Sequence, residues 1–216
     1  MKLQLVQDVL NEFIKEFKAN PFNFLYEFDI HSRLISELKN EFDKKFNFNH
    51  TFENGIKVNF SIVRSQYHPS SRNFLDIAIL EKSTIEKRTN IHPRPEDVNE
   101  MFLYWQKVDI GIEVKFQAIN TDQTKYFSRD VEKLKRLSNF SNNLKNPEEN
   151  CINTGIALLF FHRNNDLDFA RKYSYKDKDY NSIDQIVLKQ NHINSIIICP
   201  KYSYISYSSK PIINHG

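Results

Sequence analysis

Leu3, Val6, Leu10, Phe13 and Phe17 recur every three or four positions, which is the spacing of one helix face, and Asn20-Pro21 closes that run. The same period returns from about Phe24 to Phe42, with Ile30, Leu34, Leu38 and Glu41 on one side. Between residues 50 and 120 the period shortens to that of strands. Asn54-Gly55 reads as a turn into a strand from Ile56 to Arg64, and His68-Pro69-Ser70-Ser71 reads as a loop. Asn73 to Leu80 and Val108 to Phe116 are short apolar strands rich in β-branched or aromatic residues. Residues 81 to 107 separate them as a polar insertion with Pro93 and Pro95 and a short helix near Glu96 to Trp105. A third amphipathic helix carries Phe127, Val131, Leu134, Leu137 and Phe140, with Ser128 as its N-cap. Thr154 to Phe161 and Ser195 to Cys199 are buried strands, Tyr202 to Tyr207 is an edge strand, and the charged stretch Asp166 to Gln190 holds helix and loop. A helix between the third and fourth strands signals a crossover. The expected class is therefore α/β, a central mixed sheet flanked by helices.

Composition narrows the choice without deciding it. A chain of 216 residues can bury a sizeable core as one domain, residues 1–216, and 40% apolar with 26% charged residues excludes disorder. The net charge of +3 is too small to demonstrate a polyanionic partner. Its distribution says more, because six Lys/Arg between Lys125 and Lys145 face only Asp130 and Glu132. Cys151 and Cys199 lie far apart without metal-type spacing, and no apolar run approaches a bilayer span, so a reduced cytoplasmic setting without a membrane partner is expected. The seven histidines show no HxH or HExxH spacing, which argues against zinc. Four glycines and no phosphate loop exclude an ATP-binding domain.

The chemistry is concentrated on two strands. In Val108 to Phe116, residues Ile110, Ile112, Val114 and Phe116 share one face, leaving Glu113 and Lys115 together on the other. Charges beside a core face are costly unless they pair or hold a metal. With Asp76 from the other strand, they make two acidic oxygen donors and one lysine, a set suited to a hard cation and a phosphate. Glu27 lies at helical spacing from Ile30, Leu34 and Leu38, in the middle of their apolar face. It is either a third carboxylate of the same site or an acid in an exposed first turn that favours the helix dipole. Asp29 projects outward as surface, and His31 shares the inner face with Glu27.

Asp76 followed by Glu113-x-Lys115 after a hydrophobic run, with a helical glutamate before and an amphipathic helix after, resembles the PD-(D/E)XK nuclease superfamily. The resemblance covers roughly residues 24 to 161 in order of elements, leaving 162–216 as a C-terminal elaboration. It departs from the pattern in having Leu75 rather than proline before Asp76, and in the long interval between Asp76 and Glu113. It implies a restriction-endonuclease-like αβββαβ core. It further implies that Asp76 and Glu113, joined by Glu27, bind Mg²⁺, with Mn²⁺ able to substitute, while Lys115 assists the attacking water. The implied activity is metal-dependent hydrolysis of phosphodiester bonds in DNA, in defence, restriction or repair, by a homodimer if both strands are cut. Substrate contacts are expected from Arg64, His68 and Arg72 near the Asp76 strand, from Gln117 beyond Lys115, and from Arg129 and Lys133 on the third helix. Two alternatives stay open: an inactive nucleic-acid-binding or assembly module of the same fold, and a nuclease acting on RNA.

Overall fold

The computed structural model describes residues 1–46, 48–70, 73–91, 106–117, 124–138, 151–162 and 181–209. Two helices come first, α1 (Lys2–Ala19) and α2 (Glu27–Phe46), joined by a 3₁₀ turn at Pro21–Asn23. The first runs as its pattern requires, burying Val6, Leu10, Phe13 and Phe17. The second begins three residues later than its apolar pattern indicates. Asp29, in its first turn, accepts hydrogen bonds from the backbone N–H groups of Leu25 (2.9 Å) and Tyr26 (3.0 Å), which fixes the helix start there.

The strand expected from Ile56 to Arg64 is two strands. A hairpin, β1 (Phe48–Thr51) with β2 (Lys57–Phe60), forms a small sheet of its own, and β3 (Val63–Ser70) joins the main sheet. Ser61 makes the break. Its hydroxyl donates to Asp43 of α2 at 2.7 Å and accepts from the N–H of Val63 at 3.3 Å, turning the chain between the sheets. The loop expected at His68-Pro69-Ser70 is also strand, because β3 is an edge strand, where a proline costs no ladder bond.

After β3 come β4 (Asn73–Leu80), α3 (Lys82–Ile91), β5 (Val108–Gln117), α4 (Thr124–Leu137), β6 (Ile152–Phe161), β7 (Asn181–Ile183), β8 (His192–Ile198) and β9 (Ser203–Ser209). The short helix expected at 96–105 lies outside the described residues, as does most of the 166–190 stretch. Ser128 lies one turn inside α4 and so is not its N-cap.

Seven strands form one mixed sheet in the order β3-β4-β5-β6-β8-β9-β7. β3, β4 and β5 are antiparallel neighbours, β5, β6 and β8 run parallel, and β9 returns antiparallel to β8. β9 is thus not the edge expected of Tyr202–Tyr207; the three residues of β7 cover it. The parallel step from β5 to β6 passes through α4, a crossover helix. Helices cover both faces. Phe13 and Phe17 of α1 pack edge-on against Phe160 of β6, with ring centroids 5.6 and 5.0 Å apart. Five residues earlier on β6, and so on the other face, Gly155 lies under Leu134 of α4. A β-carbon on Gly155 would sit 2.6 Å from Ile193 Cδ1 and 3.2 Å from Leu134 Cβ, so the missing side chain lets α4 ride low on the sheet. No helix among the described residues is long and apolar enough to cross a membrane.

Candidate active site

The close seat of α4 brings its charged side chains down to β5. Lys133 Nζ reaches Glu113 Oε2 at 2.7 Å and Asp130 Oδ1 at 3.6 Å. Lys115 Nζ lies 3.4 Å from Asp130 Oδ2, 3.3 Å from Glu27 Oε1 and 3.9 Å from Asp76 Oδ2, and donates to the Val114 carbonyl at 2.9 Å. Four elements therefore meet at one point: α2 through Glu27, β4 through Asp76, β5 through Glu113 and Lys115, and α4 through Asp130 and Lys133.

Asp76 is held by backbone. The paired register of β4 and β5 stops at Ile77 with Ile112, one step short of Asp76 and Glu113. Beyond that point the Asp76 carboxylate accepts the N–H of Val114 at 2.8 Å, while its own carbonyl accepts from His31 Nε2 of α2 at 2.9 Å. A carbonyl can only accept, so Nε2 of His31 carries the proton. Gln66, across on β3, directs its amide toward Asp76 Oδ1 at 3.5 Å and adopts a left-handed backbone with φ of 47°. That conformation is uncommon for a residue with a side chain, and here it falls beside the site.

The electrostatics are unbalanced. Four carboxylates, Glu27, Asp76, Glu113 and Asp130, face two ammonium groups, Lys115 and Lys133. Glu113 is almost wholly buried, and its Oε1 has no hydrogen-bond partner. Burial first, then the neighbouring Asp76 charge, pushes its carboxyl up to about 8, against the pull of Lys133. Burial also raises Asp130. For Lys115, burial works downward, but Asp76, Asp130, Glu27 and Glu113 outweigh it and raise the ammonium to about 12. Lys115 is therefore a fixed cation at neutral pH.

These observations test the fit of a divalent cation. A buried oxygen without a partner beside a second carboxylate, in a cluster short of positive charge, fits a hard cation held by Asp76 and Glu113. Among the described residues, no group of three acidic, histidine or cysteine side chains is arranged to hold a metal, so Glu27 meets the site through Lys115 instead.

The remaining expected contacts are spread around this centre. Arg64 lies on β3 opposite Ala78, two residues along β4 from Asp76, and the His68 ring is 6.0 Å from that of Phe74. Gln117 ends β5, and Arg129 lies over the Tyr126 ring at 5.7 Å. Arg72 lies outside the described residues. Asp130 is the site residue that sequence reasoning missed. Its signal is present, since it stands three residues after Phe127 and four before Leu134, on the buried stripe of α4.

Comparison with family models, curated proteins and solved structures finds no match to this chain.

Proposed function

We propose that this chain is a metal-dependent nuclease of the PD-(D/E)XK type, hydrolysing phosphodiester bonds of DNA. The observation that carries the reading is the partnerless oxygen of buried Glu113 beside Asp76, with Lys115 fixed as a cation between the carboxylates. The succession α2, β3, β4, β5, α4, β6, with β5 and β6 parallel, supports a restriction-endonuclease-like αβββαβ core.

Each side chain then has a task. Asp76 and Glu113 would hold Mg²⁺ or Mn²⁺. When bound, such a cation offsets phosphate charge and acidifies a water. Lys115, kept charged by its neighbours, orients the attacking water and offsets charge on the phosphate oxygens. Glu27 and Asp130 hold the Lys115 ammonium from two sides. Lys133 stands in for part of the missing positive charge at Glu113, and a bound cation would free it to face the phosphate.

The test incubates purified protein with supercoiled, linear and single-stranded DNA and with RNA, in Mg²⁺, Mn²⁺ or EDTA. Cleavage is expected with either metal, absent in EDTA, and lost in Asp76→Asn and Lys115→Ala at unchanged circular dichroism. Variants that cut as fast as wild type would sink the assignment. The ion pair between Lys133 and Glu113 favours a second reading, a nucleic-acid-binding module of the same fold in which lysine permanently replaces the metal. Binding without products under every metal would select it.

A further inference from the structure

Among the described residues, six aromatic side chains stand exposed: Phe22, Tyr26, Phe28, Phe74, Tyr126 and Tyr202. Five of them, between 47% and 74% exposed, sit beside the elements that build the candidate site. Tyr26 and Phe28 flank Glu27, and Phe74 is two residues before Asp76. Tyr126 is one helical turn before Asp130, on the same side of α4. Phe22 precedes α2 and meets the His162 ring, at the end of β6, at 4.8 Å. Of these, Tyr126 and Phe74 stand against cations of α4, and exposed rings so placed mark a surface that awaits a partner.

The charge next to them says which partner. A groove of about 640 Å³ runs along α4, lined by Lys125, Arg129, Lys133 and Arg136, with Asp130 and Glu132. Glu132 is engaged by Lys135 at 2.8 Å, Asp130 by Lys115 at 3.4 Å and Lys133 by Glu113 at 2.7 Å, so the groove draws its positive charge from Lys125, Arg129 and Arg136. It shares Asp130 and Lys133 with the site. Arg129 lies over the Tyr126 ring, and Lys133 over the Phe74 ring at 5.3 Å, so cations and aromatic faces alternate along one path.

From this juxtaposition we infer that the substrate is a single-stranded nucleic acid, its phosphates following the α4 groove and its bases stacking on Tyr126 and Phe74. In a duplex the base faces are already stacked on one another and offer nothing to an exposed ring. An unpaired strand offers both a backbone for the cations and π-faces for the aromatics. A protein partner or a second copy would satisfy the rings but leave the cationic groove unexplained. The inference deepens the nuclease reading, on which it rests for the choice of site.

Binding can be tested without turnover. The Asp76→Asn protein is titrated, at one fixed salt concentration, into fluorescein-labelled single strands of about 12 nucleotides, oligo-dT and oligo-U, and into a hairpin duplex. Tighter binding of a single strand than of the duplex is expected by fluorescence anisotropy, and the two single strands distinguish DNA from RNA. Tyr126→Ala and Phe74→Ala should each weaken single-strand binding about 5- to 100-fold with little change for duplex, whereas Arg129→Ala should weaken both alike. Equal affinity for the two forms, or aromatic variants that bind single strand like their parent, would overturn the inference. So would a dimer that Tyr126→Ser dissociates without loss of single-strand binding. A protein that prefers single strands but cleaves nothing leaves this inference standing and removes the nuclease reading; one that cleaves without strand preference does the reverse.

Discussion

Of the lysine–carboxylate pairs that join helices to β5, the one at Asp109 and the one at Glu113 are built on opposite terms. Near the start of the strand, Lys2 of α1 meets Asp109 Oδ2 at 3.0 Å, while Asn153 of β6 donates to Asp109 Oδ1 at 3.3 Å. Lys2 also donates to the Leu80 carbonyl at 3.2 Å. Both carboxylate oxygens have partners, and the pair is partly open to water. Further along, Lys133 meets Glu113 Oε2 at 2.7 Å, but Glu113 is buried, its other oxygen has no hydrogen-bond partner, and more carboxylates stand behind it. The first pair is complete as built and ties α1 to the sheet. The second keeps a shortage of positive charge in the interior, which a protein tolerates where a ligand is to supply the remainder.

The largest expected break between the two ends is in activity. Lys115→Ala should lower cleavage on the order of 10²- to 10⁴-fold, measured as initial rate on the preferred substrate, with folding intact. In contrast, Lys2→Met should leave the rate within about two-fold, since its pair serves packing. Gly155→Val tests whether the site depends on the seat of α4. A side chain there meets Ile193 and Leu134, so a loss of about 1–3 kcal/mol by denaturant titration is expected, together with weakened metal binding.

A third comparison uses pH. Without cation, Glu113 holds a proton in the fold up to about 8 but loses it near 4.5 in the unfolded chain. The native state thus binds more protons across that window, and stability falls as pH rises from 4.5 to about 8. Thermal melts should show this slope in EDTA, lose most of it in Glu113→Gln, and show Mg²⁺ protection that strengthens as the proton leaves. The smallest effect is expected at the other end, where Asp109→Asn should cost about 1 kcal/mol or less and leave the pH slope unchanged.

Much of this was legible in the residues. β4, β5 and β6 announce themselves because apolar β-branched runs have few other uses, and strand alternation alone puts Glu113 with Lys115. Helical spacing left Glu27 open between the site and an exposed first turn, and the structure shows something of each, a partly exposed first-turn residue that reaches Lys115. The same argument applied to α4 would have found Asp130, but the charges crowded around it disguise it as part of a solvated face. The division between β2 and β3 was hidden because it depends on Ser61 reaching Asp43, a contact between residues far apart in sequence. The reading of His68-Pro69 as loop failed because proline is forbidden only where a neighbour needs its N–H, and β3 has none on one side.

The outer border of the sheet at β3 bears on assembly. Pro69 lacks a donor there, and Gln66 bends the backbone out of the extended form, so the border is a poor template for docking another chain by strand addition. A partner meeting the molecule at this border would have to be held by side-chain surfaces and not by a continued ladder.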